Sequence, residues 1–303
     1  MKILILGYSN IVRRRVLKNF LKKNYKIYVA TRSYKNQIIG IKKKYKSYEN
    51  AINDCKPNLV FVSLPNSKHF FWAKKALQSN CHTIVDKPIT SNFEELKKLI
   101  QLSNKKRKLL VEATYFNYHS QIKKTKKYFN QKEKKIIEAS FTIPMPKKNS
   151  ILLSKKLGGG VLMDMGPYIS SIPRLFKLKK IISKTISIKK NKKKLIISLK
   201  FIIKFKEGLF KGNFAFGGQY TNSLVIKNSL KSVKLFRVFS PPDNKQLYLK
   251  YRYKTKSKKI LIQKEDCFKN FFSEVQSKLK KKKFNYYFER MLSDCSFRAN
   301  LLK

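Results

Sequence analysis

Through roughly the first 120 residues, short apolar runs alternate with stretches of helical spacing, and that alternation constrains the fold more than any other feature. Lys2 to Leu6 is an apolar run stopped by Gly7. It is followed by Val12, Val16, Leu17 and Phe20 at helical spacing, and then by the β-branched and aromatic run from Tyr25 to Ala30. A helix is expected over Tyr48 to Asp54. The strand NLVFVSLP, the helix HFFWAKKALQS, the strand HTIVDKP, the helix FEELKKLIQLS and the strand KLLVEATYF come next. Strands apolar on both faces need helices on both sides, so this part predicts an α/β Rossmann domain with a doubly wound parallel sheet.

After about residue 120 the pattern changes. In LIISLKFIIKF, Leu195, Ile197, Leu199, Phe201, Ile203 and Phe205 share one face, while Ser198, Lys200 and Lys204 share the other. One buried and one wet face describe an antiparallel sheet, and the turn KEG at 206–208 leads into LFKGNFAF as its partner strand. Further strands are expected around 136–143, 231–239, 246–253 and 259–264, with helices around 162–176 and 268–300. A chain of 303 residues exceeds what one core usually supports. The expected organisation is a doubly wound domain over 1–120 and, over 121–303, an α+β domain with a large, mostly antiparallel open sheet.

Composition excludes several classes. Nothing approaches the ~18 apolar residues of a membrane span, and MKILILG gives way at once to polar and basic residues, so a cytoplasmic protein is expected. Cys55, Cys81, Cys267 and Cys295 stand far apart without a CxxC spacing, which points to reduced thiols, and with three histidines no metal site is expected. The 71 Lys+Arg against 16 Asp+Glu leave a net charge of +55. Such a balance raises nucleic-acid binding. The lysines are nevertheless spread through every segment rather than gathered into an arm, so they read as a solvated coat that attracts small anions.

Several short motifs fall where an open α/β sheet presents its ligands, at the carboxyl ends of strands. The first βα turn, GYSNIV, keeps Gly7 of a GxGxxG fingerprint but has Ser9 and Val12 in place of the later glycines. Gly7, Ser9, Asn10 and Ile11 are therefore candidates for holding a pyrophosphate on helix amides. The second strand ends in Thr31, Arg32 and Ser33, two hydroxyls and a guanidinium with no acid, a set suited to the 2′-phosphate of NADP rather than to the ribose of NAD. LPNSKH contributes Leu64, Pro65, Asn66 and His69. DKP contributes Asp86 and Lys87, and EATYFNYH contributes Tyr115 and His119.

The stretch LGGGVLMDMGPY joins three consecutive glycines to Asp164 and Tyr168, one helical turn apart on the same face. Gly158 to Gly160 would let the backbone take positive φ and approach a ligand closely.

In this order and at these separations, GYSNIVRRRVL, LPNSKH, VDKP, VEATYFNYH and LGGGVLMDMGPY resemble the Gfo/Idh/MocA family of NAD(P)-dependent oxidoreductases. FGGQYTNSLVI and RVFSPPDN are also similar to the substrate-domain sheet of part of that family. The resemblance implies a dinucleotide-binding Rossmann domain over 1–120, followed over 121–303 by an open-sheet α+β domain for substrate and oligomerisation. It makes Lys87 the central catalytic lysine, with Asp86 where most relatives have Glu, and it makes Asp164 the acid after the glycine run. Many members carry His where this chain has Tyr168, and the tyrosine is similar to the keto-sugar subgroup, including nucleotide-sugar 3-ketoreductases. The resemblance therefore implies an NADP-dependent oxidoreductase, with NAD as the alternative cofactor. It would transfer hydride between nicotinamide and a carbonyl or hydroxyl of a sugar, with Lys87, Tyr168 and Asp164 catalytic. Tyr115, His119, Gly159, Gly160, Asp164 and Tyr168 would meet substrate, and a homo-oligomer is expected. The alternatives are an inositol or free-sugar dehydrogenase, and an inactive dinucleotide-binding regulator of the same fold.

Overall fold

The computed structural model describes residues 1–32, 37–129 and 133–303. Its strands are β1 (Lys2–Leu6), β2 (Lys26–Ala30), β3 (Lys43–Tyr45), β4 (Leu59–Val62), β5 (His82–Asp86), β6 (Leu110–Ala113), β7 (Lys135–Ile143), β8 (Ile181–Lys190), β9 (Ile196–Phe205), β10 (Gly208–Phe216), β11 (Thr221–Lys227), β12 (Lys231–Phe236), β13 (Leu247–Tyr253) and β14 (Lys256–Ile262). Its α-helices are α1 (Leu17–Leu21), α2 (Tyr48–Cys55), α3 (His69–Gln78), α4 (Phe93–Lys106), α5 (Ser120–Lys126), α6 (Val161–Leu175), α7 (Cys267–Lys280) and α8 (Phe288–Leu301). By contact density the chain divides into two compact units, residues 1–114 with Phe271–Ala299, and Tyr115–Asn270 with Asn300–Lys303.

The first unit is built on a six-stranded sheet of order β3-β2-β1-β4-β5-β6, parallel throughout. Four of the five residues of β1 and all of β4 are buried, as expected of central strands covered on both faces. Helix ends follow local chemistry. Asn92 caps α4 by accepting the N–H groups of Glu94 and Glu95, and Arg107 closes it in a left-handed conformation. Ser47 caps α2 in the same way by accepting the Asn50 N–H. The strand order reverses between β1 and β4, the crevice where open α/β sheets bind ligands.

A single helix over 268–300 is what the sequence suggests, but α7 and α8 are separate, and Lys282 between them has a left-handed φ of +51°. The segment Phe271–Ala299 belongs with the first unit rather than the second. The reason is aromatic: the ring of Phe272 lies 4.6 Å from that of Phe20 and 6.2 Å from that of Phe61 on β4.

The second unit is built on an eight-stranded sheet of order β14-β13-β12-β11-β7-β10-β9-β8, mostly antiparallel with β7 and β10 parallel. β9 alternates as its sequence demands, Leu199, Phe201, Ile203 and Phe205 being buried and Lys200, Ile202 and Lys204 exposed. The hairpin at KEG pairs Phe205 with Gly208. On the buried face the rings of Phe201 and Phe210 meet edge to face at 5.0 Å, and α6 packs over β9 and β10.

Candidate active site

In the first unit, Gly7 ends β1 with φ +92°, and a Cβ there would lie 2.2 Å from the Ser63 carbonyl oxygen. Only glycine allows this approach of β1 to the end of β4. Ser9 then turns the chain into the helix. Its hydroxyl accepts the Val12 N–H at 3.3 Å, and the carboxamide of Asn10 is held by the Arg13 guanidinium. Asn10 and Ile11 stand at the start of this helical turn, where backbone N–H groups lack partners within the helix and can hold an anion. Val12–Val16 is wound as a π-helix, a form that recurs at functional turns. The turn thus fits a dinucleotide pyrophosphate although two glycines of the fingerprint are missing.

Ser9 also shares a hydrogen bond of 2.8 Å with the hydroxyl of Ser63, which in turn points at Asp86 Oδ2 from 3.5 Å. Asp86 Oδ1 accepts the Lys87 N–H at 2.9 Å. A line of polar groups therefore runs from the nucleotide turn, past the end of β4, to the lysine after β5. Lys87 is half-buried, and the chain behind it is held by Glu112, which accepts the Ile89 N–H at 2.8 Å.

Arg32 lies over the ring of Tyr48, its guanidinium carbon 4.9 Å from the centroid, and Tyr48 meets Trp72 edge-on at 5.1 Å. Burial raises the Tyr48 phenol above its ordinary pKa of 10, and the Arg32 charge partly offsets this. The exposed guanidinium is thus shelved on an aromatic at the end of β2. Thr31 is buried and gives its N–H to the Tyr45 carbonyl, while Ser33 lies outside the described residues. Leu64, Pro65 and Asn66 line the exit of β4 and are half-buried. His69 is different from the expected cofactor contact. It is 1% exposed and both ring nitrogens face backbone carbonyls at 2.7 Å, Nε2 to Leu64 and Nδ1 to Pro88. It braces the LPNSKH loop against the DKP loop.

In the second unit, α6 presents Asp164 and Tyr168 one turn apart, both half-buried. The Tyr168 ring sits in a nest of phenylalanines, 5.5 Å from Phe116, 5.5 Å from Phe141 and 5.4 Å from Phe239. Such walls lower the local dielectric and strengthen any charge interaction of the phenol. Gly158 and Gly160 take φ of +75° and +100°, but Gly159 and Gly160 are buried against the chain itself. A Cβ at Gly159 would lie 2.5 Å from the Leu152 carbonyl oxygen, and one at Gly160 3.1 Å from a Leu195 methyl. Packing therefore requires glycine at 159, and the left-handed φ favours it at 158 and 160.

Tyr115 and His119 are also interior. Tyr115 stacks on Phe268 with centroids 3.6 Å apart. His119, 3% exposed, caps α5 by accepting the Gln121 N–H at 3.3 Å and lies 3.4 Å from Glu265. Both shape the segment after β6 rather than lining an open surface. Sequence alone does not single out Ser63, Glu112, Arg298, Phe116, Phe141 or Phe239. Ser63 stands beside the LPNSKH motif, and Glu112 lies inside EATYFNYH. Phe116 lies inside EATYFNYH and Phe239 inside RVFSPPDN, but nothing local shows that these rings and Phe141 meet around Tyr168, since the four come from segments far apart in the chain.

Residues 1–114 match the oxidoreductase family with an NAD-binding Rossmann fold, Gfo/Idh/MocA. Over 189 residues the chain is 25% identical to dTDP-3,4-didehydro-2,6-dideoxy-alpha-D-glucose 3-reductase of Actinomadura kijaniata, a stretch covering 60% of this chain and 57% of that protein. It is 26% identical to D-xylose 1-dehydrogenase (NADP(+)) 2 of Haloferax volcanii over 46% of this chain and 43% of the relative. The chain thus spans about half the length of these curated relatives. Among solved structures, the 3-ketoreductase KijD10 of Actinomadura kijaniata, in complex with NADP and TDP-benzene, superposes with a TM-score of 0.91 at 19% identity. That match covers 98% of this chain and 95% of the other. This likeness establishes that the two share a fold.

Proposed function

We propose that this chain, a Gfo/Idh/MocA oxidoreductase over its first 114 residues, is an NADP-dependent reductase acting on the carbonyl of a nucleotide-linked keto-sugar. The observation that carries the reading is Tyr168, a half-buried phenol one turn after Asp164 on α6 and walled by three phenylalanines. A reductase needs a proton donor where alkoxide charge develops, and a tyrosine in a water-poor nest supplies one. The similarity to sugar reductases and dehydrogenases that use NADP supports the same reading.

When bound, the nicotinamide nucleotide would supply the hydride. Gly7, Ser9, Asn10 and Ile11 would hold its pyrophosphate on helix amides. Arg32, shelved on Tyr48, would take the 2′-phosphate. Lys87 would place an ammonium against the oxygen that gains charge, a contribution that is often the largest single one. Tyr168 would deliver the proton from its Oη, and Asp164 would fix a sugar hydroxyl beside it. The four cysteines, all buried and outside any disulfide, support work in the reducing cytoplasm. Among the described residues no helix is long and apolar enough to cross a membrane. The outer face of the large sheet, with Ile182, Ile188 and Ile202 exposed, would carry a homo-oligomer contact.

The test is oxidation of NADPH by the purified chain with nucleotide-linked keto-sugars, against free sugars and inositol with NADP. Turnover of the nucleotide-linked ketones alone is expected. Turnover confined to free sugars or inositol would place the chain among the dehydrogenases instead.

A further inference from the structure

The stretches FGGQYTNSLVI and RVFSPPDN take no part in the proposed hydride and proton transfer. Folded, they bring Tyr220, just before β11, under Arg237, just after β12. The guanidinium carbon lies 5.2 Å from the Tyr220 centroid, and Tyr220 is 41% exposed.

Two features show that this pair is built into the fold. Asn222 is 6% exposed and commits its side chain to this place. Its Nδ2 donates to Tyr220 Oη at 3.2 Å and to Ser240 Oγ at 2.8 Å, and its Oδ1 accepts the Phe239 N–H at 3.0 Å. The Asn222 carbonyl also accepts the Arg237 N–H at 2.7 Å. Second, the Arg237 backbone is fixed at φ +54° in the bend that follows β12.

The pair is continuous with the Tyr168 nest. Phe141 meets Tyr220 edge-on at 6.4 Å and lies 5.5 Å from Tyr168, and Phe239, which Asn222 anchors, lies 5.4 Å from Tyr168. One buried amide therefore fixes both a wall of the proposed reaction centre and an exposed aromatic–cation pair beside it. A free sugar has neither a planar π-face nor a negative charge to engage such a pair. A nucleoside diphosphate has both: its base stacks on an aromatic ring, and its phosphates accept the planar fork of a guanidinium.

We propose that Tyr220 and Arg237 form the subsite for the nucleoside diphosphate portion of the substrate, the base stacking on Tyr220 and the diphosphate pairing with Arg237. This rests on the nucleotide-linked reading of the function and names the residues that would enforce it.

The test is calorimetric titration of thymidine diphosphate and uridine diphosphate into the full chain saturated with NADPH, so that the dinucleotide turn is already filled. Inorganic pyrophosphate controls for attraction to the basic surface. The wild type is expected to bind a nucleoside diphosphate more tightly than pyrophosphate. Tyr220→Ala and Arg237→Ala should each weaken it by about fivefold or more, and Tyr220→Phe should retain it because the ring remains. If both alanine variants bind as the wild type does, or if Tyr220→Phe loses as much as Tyr220→Ala, the subsite is wrong while the nucleotide-linked reading stands. If the wild type itself binds nucleoside diphosphates no better than pyrophosphate, the nucleotide-linked reading falls, and the subsite with it.

Discussion

The carboxylate of Glu112 on β6 accepts the backbone N–H of Ile89 at 2.8 Å, and so holds the chain two residues beyond Lys87. The same oxygen faces Arg298 on α8 at 3.3 Å, with the two side chains 6% and 7% exposed. Removing one member of a buried pair leaves the other charge uncompensated. Arg298→Met is expected to lower unfolding free energy by about 3–5 kcal/mol, measured in urea. The double variant with Glu112→Gln should recover part of that loss. Additive losses would show that the two groups do not depend on each other.

Tyr168→Phe keeps the ring among Phe116, Phe141 and Phe239 and removes only the hydroxyl. Turnover should fall by about 10²–10⁴-fold, the scale of a lost general acid, while NADPH affinity and the melting temperature stay near wild type. Lys87→Ala should likewise abolish turnover and spare cofactor binding. Steady-state kinetics beside a nicotinamide fluorescence titration checks both, and wild-type rates in the two variants would remove them from the mechanism.

Gly159 is closed off by backbone rather than by movable side chains, with Leu152 and Ile151 carbonyl oxygens 2.5 and 2.7 Å from where a Cβ would sit. Gly159→Ala should therefore destabilise the protein by about 1–3 kcal/mol in the absence of any ligand. Thermal unfolding of the ligand-free chain measures this. An unchanged melting temperature would mean that the glycine serves something other than packing.

His82 at the start of β5 accepts the Leu109 N–H on its Nδ1 at 3.0 Å, and burial, helped by the Lys108 charge, pushes its pKa down from 6.5 to about 4. The unfolded chain therefore binds this proton more readily than the folded one. The contribution is fully present above pH 6.5 and is lost as pH falls from 6.5 toward 4. Urea midpoints measured across this window should decline with acid, and His82→Gln should flatten the decline. An identical slope in the variant would locate the acid sensitivity elsewhere.

What the sequence discloses depends on whether a segment's neighbours are local. β1, β4 and β9 are legible because an apolar run or a strict alternation reports how many faces are covered. Asp164 and Tyr168 are legible because helical spacing alone puts them on one face of α6. β8 is not, since its side chains are exposed almost throughout and leave no buried face to read. Nor is β3, three residues of which two are lysine. The break between α7 and α8 carries no proline or glycine to mark it. Tyr115 and His119 sit at a strand exit, where ligand contacts are expected, but Phe268 and Glu265 from far along the chain draw them into the interior. Arg298 is one of 71 Lys and Arg residues and could not be told from the rest until its partner Glu112 was in place.

The most direct test of hydride transfer is to supply NADPH deuterated at the reactive nicotinamide carbon, together with a nucleotide-linked keto-sugar, and to weigh the product by mass spectrometry. One deuterium on the carbon that was the ketone is the predicted result, with Tyr168→Phe forming the same labelled product about 10²–10⁴-fold more slowly. A product without deuterium, or no product although NADPH binds, would contradict the assignment of this chain as a reductase.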